Sequence, residues 1–173
     1  AVRWVRDHIG RYGKYSNLFI AGTSAGGYLS MMLCFDQKYL RAQEIDPNGI
    51  AGYIFNSPQP TTHFNVLRER GMDTRSVVID EAAPIYHIAE NPDAAPMLIL
   101  VSDNDIPNRL EQINLFCSTL KQFGYEDGKI QFKLMKGYVH CGYDHAVDDE
   151  GNNIFAAIIM DFIRTTLANM KKQ

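Results

Sequence analysis

Apolar positions change period several times along the chain. Val2, Val5 and Ile9 recur at the spacing of one helix face, and Gly10 and Gly13 end that pattern. Ser16-Asn17 marks a turn, after which Leu18 to Gly22 reads as a short apolar strand. A mostly apolar helix follows from Ala25 to about Phe35, and Asp46-Pro47-Asn48-Gly49 is a second turn signal. Ile50 to Asn56 predicts another strand, stopped by Pro58 and Pro60. Met97 to Val101 is an uninterrupted apolar run, the pattern of a central parallel strand buried on both faces. Pro107-Asn108 introduces a helix with Leu110, Ile113, Phe116, Cys117 and Leu120 on one side and Gly124 as its stop. Ile130 to Leu134 alternates, as a half-exposed edge strand does, and Gly137-Tyr138-Val139-His140 reads as a loop. Asn152 or Asn153 caps a last helix that carries Phe155, Ile158, Ile159, Phe162 and Ile163 and frays at Met170-Lys171-Lys172. From Thr61 to Pro96 no period holds, apart from a short helical stretch at Phe64 to Arg70. A connection this long predicts a lid or a pocket-shaping insertion over 61–95.

Strands alternating with helices predict an α/β domain: a mostly parallel sheet with helices on both faces. Ligands bind such sheets at the carboxyl ends of the strands. Three chemical groups fall there: Ser24 after one strand, Asp105 after another and His140 after a third. Ser24 lies in a G-x-S-x-G pattern with Gly22 and Gly26, between an apolar strand and an apolar helix. On a sharp strand-to-helix turn a serine stands clear of the sheet, and glycines on either side spare the two arms a collision. The backbone N–H of Ala25, at the positive end of the following helix, is an expected oxyanion donor. The bland alternative for Ser24 is a turn serine that caps the helix.

Composition changes this picture little. A chain of 173 residues, 46% hydrophobic and 21% charged, suffices for one globular domain. A net charge of −3 argues against nucleic acid as the main partner, and no apolar run reaches membrane-spanning length. Three cysteines, Cys34, Cys117 and Cys141, are an odd count without metal-type spacing, which favours a reducing, cytoplasmic setting; Cys34 and Cys117 read as core thiols. His140, Cys141, Asp144 and His145 match no zinc ligand set. The acidic run from Asp144 to Glu150 lacks the spacing and central glycine of a calcium loop, so no metal is expected. Trp4 is expected to pack, and Tyr28 to lie under the turn at Ser24 or in a pocket wall. His63 and His87 read as surface or structural, with His63 the one that could face a substrate. The chain opens without Met and already inside a helical pattern, so an N-terminally incomplete domain is expected.

Four motifs in order resemble those of the α/β-hydrolase superfamily, in particular its esterase and lipase-like members of the feruloyl- and acetyl-esterase type. Gly22-Thr23-Ser24-Ala25-Gly26-Gly27 resembles the nucleophile elbow in its S-A-G-G form. Pro96 to Asp105 resembles the strand ending in a G-x-x-D acid motif, with Ser102 in place of the glycine. Glu111-Gln112 resembles the pair opening the next helix, and Gly137 to His140 the G-x-x-H loop. The resemblance covers nearly the whole chain. The family's H-G-G type oxyanion loop and the first strands of its sheet are missing. Roughly 100 residues or more would precede Ala1 in a complete domain of that kind.

The resemblance implies a single catalytic domain over 1–173 acting as a serine carboxylic ester hydrolase, on short-acyl or aryl esters including those of decorated carbohydrates. Ser24 would be the nucleophile, His140 the base and Asp105 its orienter, in a Ser-His-Asp triad that needs no cofactor. His145 competes with His140, and Asp103 with Asp105. The loop after Gly137 favours His140, with His145 in what reads as a solvated acidic loop among Asp144, Asp148, Asp149 and Glu150. The G-x-x-D spacing and the Glu111-Gln112 register favour Asp105. The expected partner is a small-molecule ester. Two alternatives stand beside this: a serine peptidase of the same fold, and a non-catalytic hydrolase-like binding domain. The first commonly has a bulky aromatic after the serine, where this chain has Ala25.

Overall fold

The computed structural model describes residues 1–172. Four strands, β1 (Phe19–Thr23), β2 (Gly52–Asn56), β3 (Met97–Asn104) and β4 (Ile130–Val139), form one parallel sheet in the order β1-β2-β3-β4. Around it lie α1 (Val2–His8), α2 (Ala25–Phe35), the single-turn α3 (Lys38–Arg41), α4 (Phe64–Glu69), α5 (Arg109–Gln122) and α6 (Ile154–Met170).

The strictly alternating side chains of β2 and β3 split the core in two. Tyr53, Phe55, Met97, Ile99 and Val101 pack against Met31 and Phe35 of α2 and Ile113, Phe116 and Leu120 of α5. Ile54, Leu98 and Leu100 face the other way, onto Phe162 of α6 and Tyr143. Both faces are therefore covered, as the continuous apolar run at Met97 to Val101 predicts. Phe35 and Phe116 meet edge to face at 5.4 Å, joining α2 to α5 under the sheet. Truncating either ring would cost about 3–5 kcal/mol.

The helix ends follow their local chemistry. Asn153 caps α6 by accepting the Ala156 N–H at 2.7 Å. Gly124, with φ +81°, supplies the left-handed residue just past α5. Cys34 is fully buried; Cys117 is half-buried, its thiol pushed up to about 11 by burial. Trp4 departs from expectation: it is 55% exposed and stacks on His8 at the surface. None of α1's residues is fully buried.

The segment 61–95 has little regular structure, yet it is fastened down. Thr61, Thr62 and His63 are buried. Thr61 Oγ1 donates to Gln112 of α5 (2.7 Å), and Tyr28 of α2 donates its hydroxyl to the Ala82 carbonyl (2.8 Å). Asp80 accepts from Thr62 (2.8 Å) and pairs with Arg70 (2.6 Å).

Candidate active site

β1 runs straight into Ser24, whose backbone takes φ +56° and ψ −114°. This conformation is costly for a residue with a side chain, by about 1–3 kcal/mol, and persists only where its surroundings over-determine it. Two contacts do so. The Ser24 N–H donates to the Asn56 carbonyl at 2.8 Å, and the Tyr28 N–H closes the first helical bond onto the Ser24 carbonyl at 3.0 Å. The arms of the turn approach so closely that an added Cβ on Gly22 would lie 2.1 Å from the Gly26 carbonyl oxygen. The two motif glycines are not equivalent, contrary to the sequence expectation. A Cβ on Gly26 would meet nothing within 4 Å, because that position faces open space. The second tight glycine is Gly27, where a Cβ would lie 3.1 Å from the carbonyls of Gly22 and Asn56 and from Pro58.

The Ser24 hydroxyl does not cap α2. It lies 2.9 Å from His140 Nε2, while His140 Nδ1 lies 2.6 Å from Asp105 Oδ1. With Asp105 ionised, the Nδ1 proton belongs to that bond, which leaves Nε2 as acceptor for the serine O–H. Ala25 is exposed, and its N–H, like those of Gly26 and Gly27, belongs to a first helical turn without an intrahelical acceptor.

The histidine arrives by a route the sequence does not announce. Gly137 to Val139 are strand, not loop. Ser102 pairs with Met135 and Asn104 with Val139, so β4 carries an extra pair of residues opposite β3. Gly137 takes φ +81° in that bulge and donates its N–H to Asp103 Oδ1 at 2.8 Å. Ser102 donates its hydroxyl to the Val139 carbonyl at 2.7 Å. Asp103 thus holds the bulge, and Asp105 faces the histidine. Asp105 Oδ1 also accepts the Ile106 N–H at 2.7 Å; Oδ2 is buried without a hydrogen-bond partner. The other histidine of this region, His145, is exposed.

Beneath the three groups lies a buried polar cluster that sequence reasoning missed. Asn56 Nδ2 donates to Thr23 Oγ1 (3.1 Å) and Asp144 Oδ1 (2.9 Å), and Tyr143 donates its hydroxyl to Asn56 Oδ1. Arg109, 3% exposed, donates to the Ser57 carbonyl at 2.7 Å. Burial pushes its guanidinium below the ordinary value, with Asp105 pulling the other way. The signal available was a single asparagine ending an apolar strand. Asp144 belongs to this cluster and not to the solvated acidic loop.

His63 is structural. Its Nδ1 accepts the Asn65 N–H to cap α4 (3.2 Å), and its ring lies between Tyr28 and Phe64. His87 is held by Glu90 (3.0 Å) and the Glu81 carbonyl (2.8 Å). Among the described residues Asp36, His87 and Glu90 bring metal-ligand atoms within 4.8 Å of one another. Both His87 nitrogens are already engaged, however, and Asp36 pairs with Lys38 at 2.7 Å. A cleft of about 330 Å³ is lined by Ile106, Arg109, Gln112, Gln59, Phe64 and Ser76, among others, and not by Ser24, Asp105 or His140. A larger one of about 600 Å³ lies at the amino ends of the strands, by Ile50, Pro96 and Thr166, away from Ser24. No described helix is long and apolar enough to cross a membrane.

No protein-family model and no curated protein sequence matches the chain. Solved structures do. Esterase 2 of Thermogutta terrifontis with butyrate bound superposes with a TM-score of 0.65 at 20% identity, over 98% of this chain and 62% of that one. The same esterase phosphoramylated by tabun gives 0.63 at 21%, over 98% and 61%. An acylaminoacyl peptidase bound to a Gly-Gly-Phe chloromethyl ketone gives 0.60 at 16%, over 94% of this chain and 25% of that one. This chain spans about three fifths of the length of the esterase structures. The parallel sheet, its flanking helices and these superpositions together give it the α/β-hydrolase fold.

Proposed function

We propose that this chain carries the catalytic centre of a serine-dependent carboxylic ester hydrolase. What carries the reading is the unbroken run of hydrogen bonds from Ser24 through His140 to Asp105, 2.9 and 2.6 Å long. Ser24 Oγ attacks the ester carbonyl carbon while His140 Nε2 takes its proton, since a serine hydroxyl is a weak nucleophile without a base. Asp105 holds the imidazole in the working tautomer and stabilises the imidazolium. The Ala25 N–H meets the oxyanion at the positive end of α2. His140 then protonates the departing alcohol, leaving an acyl group on Ser24. Water, deprotonated by His140, attacks the acyl carbon and releases the acid and the free serine.

The substrates in this reading are esters with a short acyl or an aryl group; the cleft that includes Ile106, one residue past Asp105, is lined in part by Phe64, Thr74, Arg75 and Ser76 of the segment 61–95. In this reading that segment shapes the pocket. In the intact protein Ser24→Ala should cut turnover of p-nitrophenyl butyrate by about 10³-fold or more and abolish labelling by a fluorophosphonate. Ordinary turnover by the alanine variant would sink the mechanism. A peptidase shares the fold; faster cleavage of a matched amide than of the ester would move the assignment there.

A further inference from the structure

Asn56 is 1% exposed, in a strand whose every residue is buried, and the neighbouring positions Tyr53, Ile54 and Phe55 are filled by apolar packing. Burying a carboxamide there is unfavourable unless all its bonds are made. They are, and the partners fall into two sets. On one side is Thr23, the residue before the serine: Nδ2 donates to Thr23 Oγ1 (3.1 Å), and the Asn56 backbone carbonyl separately accepts from the Ser24 N–H (2.8 Å). Tyr143 and Asp144 follow His140 in the chain: Oδ1 accepts from the Tyr143 hydroxyl, and Nδ2 donates to Asp144 Oδ1 (2.9 Å). The orientation of the amide is dictated, because an ionised Asp144 can only accept. Tyr143 is fully buried, and burial raises its hydroxyl's pKa, keeping it a protonated donor.

We infer that Asn56 is a positioning residue that sets the approach of Ser24 to His140, by bolting the serine turn to the histidine loop through one carboxamide. The inference rests on the reading of Ser24 and His140 as nucleophile and base. A reacting group displaced by about 1 Å costs on the order of 10²-fold in rate.

The test is a reciprocal swap in the intact protein. Asn56→Asp replaces the donor with a carboxylate facing Asp144, and should lower kcat by about 10²-fold with KM little changed. Adding Asp144→Asn restores the donor–acceptor match with the roles exchanged, and should recover most of that loss. The downfield imidazole proton of His140, read by NMR, should move in the single variant and return in the double one. Unchanged kcat in Asn56→Asp, or a double variant no better than the single, would overturn the inference while leaving the hydrolase reading intact. If the wild type shows no Ser24-dependent turnover, the hydrolase reading falls. The NMR signal then decides alone: displacement and return support positioning, and an unmoved resonance refutes it. Should Asn56→Asp fail to fold, Tyr143→Phe keeps the packing and removes one of the bonds. It should lower kcat at unchanged KM, and wild-type kcat in that variant would also refute the proposal.

Discussion

The two glycines of G-x-S-x-G look interchangeable in the sequence, and the structure makes opposite predictions for them. An alanine Cβ at Gly22 would sit 2.1 Å from the Gly26 oxygen, 2.3 Å from its carbonyl carbon and 2.5 Å from Ser30 Oγ. Real Cβ contacts stay beyond 3.0 Å, so backbone must retreat by about 0.9 Å, against a carbonyl that Ser30 already holds at 2.9 Å. Overpacking a tight site costs about 1–3 kcal/mol, and backbone on the receiving side puts this case at the upper end. For a domain of this size about 1 kcal/mol corresponds to 2–4 °C, so Gly22→Ala should melt about 6–12 °C lower and lose ester turnover as the turn opens. Gly26 is helical with open space at its Cβ position. Alanine there should gain about 0.5–1 kcal/mol of helix propensity and raise the melting point by a few degrees. Thermal and urea melts of both variants in the intact protein are the assay. A Gly26→Ala protein as destabilised as Gly22→Ala, or a Gly22→Ala midpoint equal to wild type, would refute the reasoning.

The two aspartates at the end of β3 should separate in the same way. Asp105→Asn strands His140 in the wrong tautomer and should lower kcat by about 10⁴-fold. Asp103→Ala loses the Gly137 bond and should cost at most about 1 kcal/mol of stability, with far the smaller effect on kcat; the reverse order in steady-state kinetics would reassign the acid. His63 gives a pH prediction. Burial, reinforced by the nearby Arg109 charge, holds its pKa below the ordinary 6.5. Below that value the unfolded chain takes up a proton that the folded state resists, so the contribution is complete above pH 6.5 and drains away as pH falls toward the lowered folded value. His63→Asn keeps a cap for α4 without the titration, so its urea midpoint should fall less than wild type between about pH 7 and 5.5; parallel curves would contradict this.

The alternation of apolar runs and turn residues was enough to lay out the parallel sheet, because strand and helix periods are local properties of a chain. So was the placement of Ser24, Asp105 and His140 at strand ends, since each sits just beyond an apolar segment. Trp4 misled, because an aromatic signals a capacity for burial but not a partner. Choosing between Asp103 and Asp105 rested on motif spacing and the register of Glu111-Gln112; that Asp103 bonds the Gly137 N–H of the β4 bulge while Asp105 bonds His140 was not legible there. The unequal work of Gly22 and Gly26 was equally invisible, because it depends on which backbone atoms the turn brings within van der Waals contact. Asn56 is the clearest case. In sequence it is one polar residue after an apolar strand, 33 positions from Thr23 and 88 from Asp144. Patterns along a chain determine which elements form, but hydrogen-bond partners so far apart meet only when the sheet is assembled, so the geometry that joins serine to histidine is a property of the tertiary structure.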